Sequence, residues 1–202
     1  MPTEPDNTTL DYYDRNADAF TARTINDDLT SEYDAFLEHL APGGHILDAG
    51  CGSGRDTRHF LDMGYHVTAF DGSIEMAARA TEHTGLSVAH LRFEDIAYDA
   101  EFDGIWACAT LLHIPHARLP QTLTRLARGL KPDGTLYMSM KYGDDEQCIE
   151  GRHFTFVDET ALHTLLETCP ELTPLRIWSS TEHYEDGSSQ VWVHGLARHT
   201  TA

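Results

Sequence analysis

His45-Ile46-Leu47-Asp48-Ala49-Gly50-Cys51-Gly52-Ser53-Gly54-Arg55-Asp56 is a short apolar run that enters a glycine-paved turn and leaves it in a polar, helix-compatible segment. The pattern predicts a buried strand over 45–49, a tight loop, and a helix that opens at Gly54. A second apolar run, His66 to Phe70, ends at Asp71, 21 residues after Gly50. A strand, a glycine turn, a helix N-terminus and an acid about 20 residues further on together build a socket for a nucleoside-containing ligand.

Each glycine has its own task. Gly50 lets the chain turn sharply out of the strand, Gly52 leaves room where ligand atoms lie against backbone, and Gly54 lets the helix start close to its neighbours. The spacing is Gly-x-Gly-x-Gly, and Arg55 stands where a dinucleotide fingerprint needs its third glycine. NAD and flavins are therefore disfavoured. Asp71 is placed to accept hydrogen bonds from both ribose hydroxyls. Its structural alternative is to cap the next helix through Gly72-Ser73. Asp48 either holds the turn or receives a ligand ammonium group. Arg92-Phe93-Glu94-Asp95-Ile96 follows the third strand, on the rim where ligands of open α/β sheets gather. An acid there can accept from an adenine amine, and Phe93 and Ile96 can press on the ring.

Outward from this core the chain alternates. Helices are expected from Leu10 to about Thr24 and from Ser31 to Leu40, the latter with Ser31 as cap and Asp34 at the capping-box position. Residues 1–9 read as loose. Strands are expected at 45–49, 66–70, 87–91, 102–107 and 135–140, with helices over 54–63, 73–83, 115–130 and within 156–169. Residues 141–153 read as a polar loop. Two β-type runs, 172–178 and 190–197, close the chain around an Asp186-Gly187 turn. The alternation predicts an α/β, doubly wound Rossmann-like sheet, mostly parallel, with an antiparallel C-terminal hairpin and helices on both faces. Residues 1–44 are expected to form a helical lid within the same domain as a core over 45–202.

Charge narrows the partners. Against 33 acidic residues stand 14 basic ones, for a net charge of −19. Only Lys131 and Lys141 are lysines. A nucleic-acid backbone needs concentrated basic surface, and an anionic membrane would be repelled, so neither is expected as a partner. No run is long and apolar enough to span a membrane, and Met1-Pro2-Thr3-Glu4-Pro5-Asp6 does not read as a secretory leader. Four scattered cysteines without a CxxC pair fit a reduced, cytoplasmic chain acting as monomer or homodimer.

Several groups near the rim are candidates for chemistry. His113 can accept a proton or orient an acceptor, or else tie its loop to the following helix. His116, three residues on, makes a metal pair conceivable, but no third ligand is evident and no metal is expected. Arg152 can grip an oxyanion by a two-pronged contact, or pair with Glu150 or Asp144. Trp106 reads as core, and Cys108 as a thiol without a basic partner.

The chain resembles class I S-adenosylmethionine-dependent methyltransferases over about residues 9–198. The resemblance rests on the loop 48–54, Asp71, the 93–96 segment, Ala107 to His113 after strand four, and the turn Leu130-Lys131-Pro132-Asp133-Gly134. It implies a seven-stranded sheet and S-adenosyl-L-methionine as cofactor. Asp48, Gly50, Cys51, Gly52, Gly54, Asp71, Gly72, Phe93, Glu94, Asp95, Ile96 and Ala109 are then expected beside that cofactor. Tyr12-Tyr13-Asp14-Arg15-Asn16-Ala17 is similar to the N-terminal helix of small-molecule members, including tellurite-resistance-like ones. That likeness puts Tyr13 and Arg23 in a lid; with His113 at the rim and Arg152 in the 141–153 loop, Tyr13 is an expected acceptor-side residue. The implied reaction is in-line methyl transfer to a small-molecule acceptor. Protein or tRNA methylation, and a nonenzymatic binding module, are the alternatives.

Overall fold

The computed structural model describes residues 5–184 and 186–200, and side chains from Thr8 onward. Two helices, α1 (Pro5–Thr24) and α2 (Thr30–Leu37), precede β1 (His45–Ala49). Then come α3 (Arg55–Asp62), β2 (His66–Asp71), α4 (Ile74–Thr84), β3 (Ala89–His90) and β4 (Phe102–Ala107). After them run α5 (Leu119–Gly129), β5 (Leu130–Lys141), β6 (Glu146–Ile149), β7 (Arg152–Thr155), α6 (Glu159–Glu167), β8 (Leu172–His183) and β9 (Ser189–His199).

Seven strands form one sheet in the order β3-β2-β1-β4-β5-β9-β8. The first five are parallel neighbours, and β9 runs antiparallel to both β5 and β8. Strand order reverses between β1 and β4, so a crevice opens at their carboxyl ends, where the glycine loop sits. Both sheet faces are covered, and adjacent residues of each central strand feed opposite cores. Ile46, Trp106 and Tyr137 pack with Tyr33 and Phe36 of α2 and Phe60 of α3. Leu47, Ile105 and Leu136 pack with Leu123 and Leu126 of α5 and Leu162 of α6. Trp106 is fully buried and stacks on Tyr137 at 3.9 Å, which makes it a core residue. Because α2 supplies part of this core, residues 30–37 are inseparable from the sheet.

The structure departs from expectation at several ends. Helix α1 starts at Pro5, so residues 5–9 are helical, while 1–4 lie outside the described residues. Helix α2 begins at Thr30 and has no side-chain cap. Ser31 donates to Glu32 instead, and Asp28 accepts from the Thr30 backbone N–H and hydroxyl. Strand β3 is only two residues long. Pro115 delays the expected helix, and α5 begins at Leu119 after a tight 116–118 turn. Residues 141–153 are not a plain loop: β6 and β7 pair as a small antiparallel hairpin across Glu150 and Gly151, both at positive φ. Strands β8 and β9 run on to a tip at Tyr184–Ser188.

Candidate active site

The carboxyl-end crevice is a cavity of about 1250 Å³. That exceeds the usual range for a single small ligand, roughly 300–1,000 Å³, and leaves room for two reactants. Its wall combines the glycine loop, the Asp71 turn, α1, the loops after β3 and β4, the β6–β7 hairpin and the β8–β9 tip.

The glycine loop takes its shape from left-handed backbone: φ is +74° at Gly50, +55° at Gly52 and +80° at Gly54. The three positions are closed for different reasons. A Cβ at Gly50 would lie 2.0 Å from Thr110 Oγ1, and one at Gly54 would lie 3.0 Å from the α4 backbone at Ala80. A Cβ at Gly52 would touch only Phe20 and Met76, each at 3.8 Å, because this glycine faces the cavity. Gly52 is thus a cradle, where backbone can meet a ligand without an intervening side chain.

Asp71 fixes that cradle. Its Oδ2 accepts the Gly52 N–H and its Oδ1 the Ser73 N–H, both at 2.8 Å. An ionised carboxylate has about four acceptor sites, so two stay open on the cavity side for ligand hydroxyls. Burial pushes this carboxyl up, and the two backbone donors oppose that rise. Ser73 is the N-cap of α4 and accepts from Met76 N–H, so Asp71 serves both the loop and the helix start.

Of the expected cofactor residues, Gly50, Cys51, Gly52, Asp71, Gly72, Phe93, Glu94 and Ala109 line the cavity. Asp48, Gly54, Asp95 and Ile96 do not. Asp48 is 2% exposed and accepts from the Thr57 hydroxyl at 2.5 Å. Burial, reinforced by the neighbouring Asp56 charge, pushes its carboxyl up to about 8. Asp48 therefore holds the turn and does not reach the ligand space. Gly54 packs α3 on α4, Ile96 is core, and Asp95 is exposed outside the wall. Cys51 and Cys108 are unpaired, and burial raises both thiols, Cys108 to about 12, so neither is an activated nucleophile.

The three acceptor-side candidates converge. Tyr13 O–H lies 2.7 Å from His113 Nε2, and His113 Nδ1 lies 2.7 Å from the His153 carbonyl. A carbonyl only accepts, so Nδ1 carries the proton and Nε2 accepts from Tyr13. Burial lowers His113 to about 3, with the Arg152 and Lys141 cations also opposing its charging. Burial raises Tyr13 to about 12, against the pull of the nearby Arg152 guanidinium. Arg152 stacks on Tyr12 with its Cζ 4.2 Å from the ring centroid, and one nitrogen meets Glu150 at 3.0 Å. The lid helix is fastened on both sides. Asp14 accepts from Ser73, Asp18 pairs with Arg79, and Thr9 accepts the His153 N–H.

Other wall residues carry no motif signal. Arg55 clasps Asp56 at 2.6 Å and reaches Thr24 O and Asp27 across the lid. Asp56 also accepts from Tyr33 and Trp106, so this buried charge is fully partnered and held low by Arg55 despite its burial. Glu182, Trp192 and His194 enter from the β8–β9 hairpin, which the strand pattern alone did not connect to the site. Among the described residues no group of three metal-ligating side chains gathers, and no helix is long and apolar enough to cross a membrane.

A reversed-order α/β sheet with an open glycine loop at its switch point is the arrangement in which open α/β folds bind ligands. The architecture is that of the class I, Rossmann-fold S-adenosylmethionine-dependent methyltransferases. Residues 46–134 match the family model of a methyltransferase domain. An uncharacterized methyltransferase of Staphylococcus carnosus is 31% identical over 126 residues, 58% of this chain and 61% of that protein. The ubiquinone biosynthesis O-methyltransferase of Xanthomonas campestris is 32% identical over 106 residues, 48% of this chain and 43% of that protein. The chain thus spans less than two thirds of the length of these curated relatives. Among solved structures, the Burkholderia thailandensis 1,6-didemethyltoxoflavin-N1-methyltransferase superposes with a TM-score of 0.80 at 25% identity. That likeness covers 100% of this chain and 91% of the other, which was solved with 1,6-didemethyltoxoflavin and S-adenosylhomocysteine. TehB of Haemophilus influenzae shares the fold, with a TM-score of 0.68 at 20% identity over 91% of this chain and 67% of that one.

Proposed function

We propose that this protein transfers a methyl group from S-adenosyl-L-methionine to a small-molecule acceptor. The observation that carries the reading is that one cavity holds both the open Gly52 cradle braced by Asp71 and the Tyr13–His113 pair. In this reading Asp71 takes the ribose hydroxyls, Glu94 and Phe93 face the adenine, and the Gly50–Gly52 backbone lies against the amino-acid portion. When bound, the cofactor supplies an electrophilic methyl group that needs no activation by the protein. The chain's own work is alignment, worth about 7–11 kcal/mol when the geometry is well held, and proton handling.

Tyr13 is the group that meets the acceptor. It lines the cavity, and the proton on its oxygen points at His113 Nε2. An acceptor O–H or N–H donates to that oxygen. As the acceptor loses its proton to Tyr13, Tyr13 passes its own to Nε2. His113 is a weak base, but an acceptor gains acidity as its methyl bond forms, so a base held neutral at every physiological pH suffices. Helix α1 acts as the lid, with Tyr13 and Phe20 closing over the cradle, while α2 belongs to the core beneath the sheet.

The test is a titration of the purified protein with S-adenosylmethionine, S-adenosylhomocysteine and NAD, beside Asp71→Ala. The expected result is micromolar binding of the first two, no binding of NAD, and a loss of at least about tenfold in the variant, the size of one strong hydrogen bond to a charged acceptor. Equal binding by the variant removes Asp71 from the site. A panel of small acceptors, followed by release of S-adenosylhomocysteine, then separates catalysis from binding alone.

A further inference from the structure

In a chain of net charge −19, three cations line the acceptor side of one cavity: Arg23, Lys141 and Arg152. Lys141 ends β5 with its Nζ 4.7 Å from the Phe154 ring centroid and 5.9 Å from that of Trp192, and no carboxylate among the described residues lies within ion-pair distance of it. Arg152 sits on the same Phe154 ring, with its Cζ 5.1 Å from the centroid. Its one carboxylate partner is the solvent-facing Glu150, and its buried Nε has no hydrogen-bond partner. Arg23 lies over Phe20 at 5.3 Å and has no ion pair among the described residues.

Five acids of the same wall are already engaged. Asp56 and Asp27 hold Arg55, and Asp28 and Asp186 accept from their own turns. Glu182, which faces Lys141, accepts from Trp192 Nε1 and the Tyr184 hydroxyl. Lys141 and Arg23 therefore have no ion-pair partner among the described residues and Arg152 has only Glu150, whereas these neighbouring acids already have donors. Like charges crowded on one aromatic ring repel, and their arrangement is uphill until an anion joins them. The surrounding Phe154, Trp192 and Leu112 supply an apolar frame for the rest of the ligand.

Resting on the methyltransferase reading, we propose that the acceptor is an organic oxyanion on an apolar frame, a carboxylate or an ionised acidic ring oxygen, clamped between Lys141 and Arg152 beside Phe154. The clamped oxygen is a handle and not the attacking atom. Cations holding an oxygen lower its nucleophilicity, so the atom methylated is a separate one that faces Tyr13.

The experiment titrates 4-hydroxybenzoate and its uncharged counterpart 4-hydroxybenzamide, each with and without saturating S-adenosylhomocysteine, followed by tryptophan fluorescence and calorimetry. The expected result is saturable millimolar binding of the acid, at least about tenfold tighter than the amide, and weakened by salt. Lys141→Met should erase the preference, and Lys141→Arg should keep it. S-adenosylhomocysteine affinity should not change in either variant. Equal binding of acid and amide, a preference that survives Lys141→Met, or no saturable binding of the acid overturns the clamp. Failure of the wild type to bind S-adenosylhomocysteine sinks the cofactor reading instead, and the titration without it still decides the clamp.

Discussion

Tyr13 and His113, 100 residues apart in the chain, meet through a 2.7 Å hydrogen bond whose direction is fixed by the His153 carbonyl behind it. The bond joins α1 to the loop after β4, so in the proposed reading seating α1 over the cradle and assembling the proton path are one event.

Tyr13→Phe removes the group that receives the acceptor's proton and leaves the ring packing on Phe20 intact. With an acceptor in hand, kcat should fall about 10²-fold or more, the lower range for a positioned acid–base group, while S-adenosylhomocysteine affinity stays within about twofold, a small fraction of one hydrogen bond. Steady-state kinetics beside calorimetry checks this, and an unchanged kcat would remove Tyr13 from the proton path.

His113 has a pKa of about 3 in the folded state against an ordinary 6.5. Between those values the unfolded chain binds the extra proton, so stability is full above about 6.5 and drains as pH falls toward 3. Arg152, Lys141 and His153 all face the ring and oppose its charging. Melting curves from pH 7 to 4 should show a decline that His113→Gln makes shallower. Parallel slopes for the two proteins would count against a buried neutral imidazole.

Asp48 has the opposite sign. Its folded pKa lies near 8, far above the carboxylate reference of 3.8, so the folded state holds a proton that the unfolded chain gives up. Its contribution is full below about 3.8 and is lost as pH rises through about 8. Asp48→Asn should therefore melt higher than the wild type at pH 9, with the gap closing toward pH 5, and should bind cofactor as before. A large loss of cofactor affinity would return Asp48 to the ligand.

Gly52→Ala and Gly54→Ala should separate binding from folding. Alanine at 54 drives a Cβ to 3.0 Å from the Ala80 backbone at a φ of +80° and should cost about 1–3 kcal/mol in denaturant melts. Alanine at 52 meets only ligand space, so it should cost about 1–2 kcal/mol from its left-handed backbone yet lose far more in cofactor titration. Equal effects in both assays would mean that Gly52 is not a cradle.

Much of this was readable from residues alone because the central strands are short apolar runs bounded by glycine. His45–Ala49 and Phe102–Ala107 fall where the pattern puts them. The cradle was readable because its glycines are backbone requirements. What escaped had no periodicity to read. Residues β6 and β7 are mostly polar, and their turn rests on Glu150 and Gly151 at positive φ, so the Glu-Gly pair was the one usable signal. The pairing of β8 with β9 was legible, but not that its long tip bends Glu182 and Trp192 into the wall. Asp48 misled because a carboxylate beside a glycine loop looks the same whether it faces ligand or Thr57.

Arg55 occupies the position where a dinucleotide site demands the absence of a side chain, and its guanidinium spans from Asp56 to Thr24 O and Asp27 beyond the end of α1. In the proposed reading one side chain thus fills the place of a dinucleotide loop's third glycine and moors the roof to the floor, so shortening Arg55 would both open the loop and loosen the chamber.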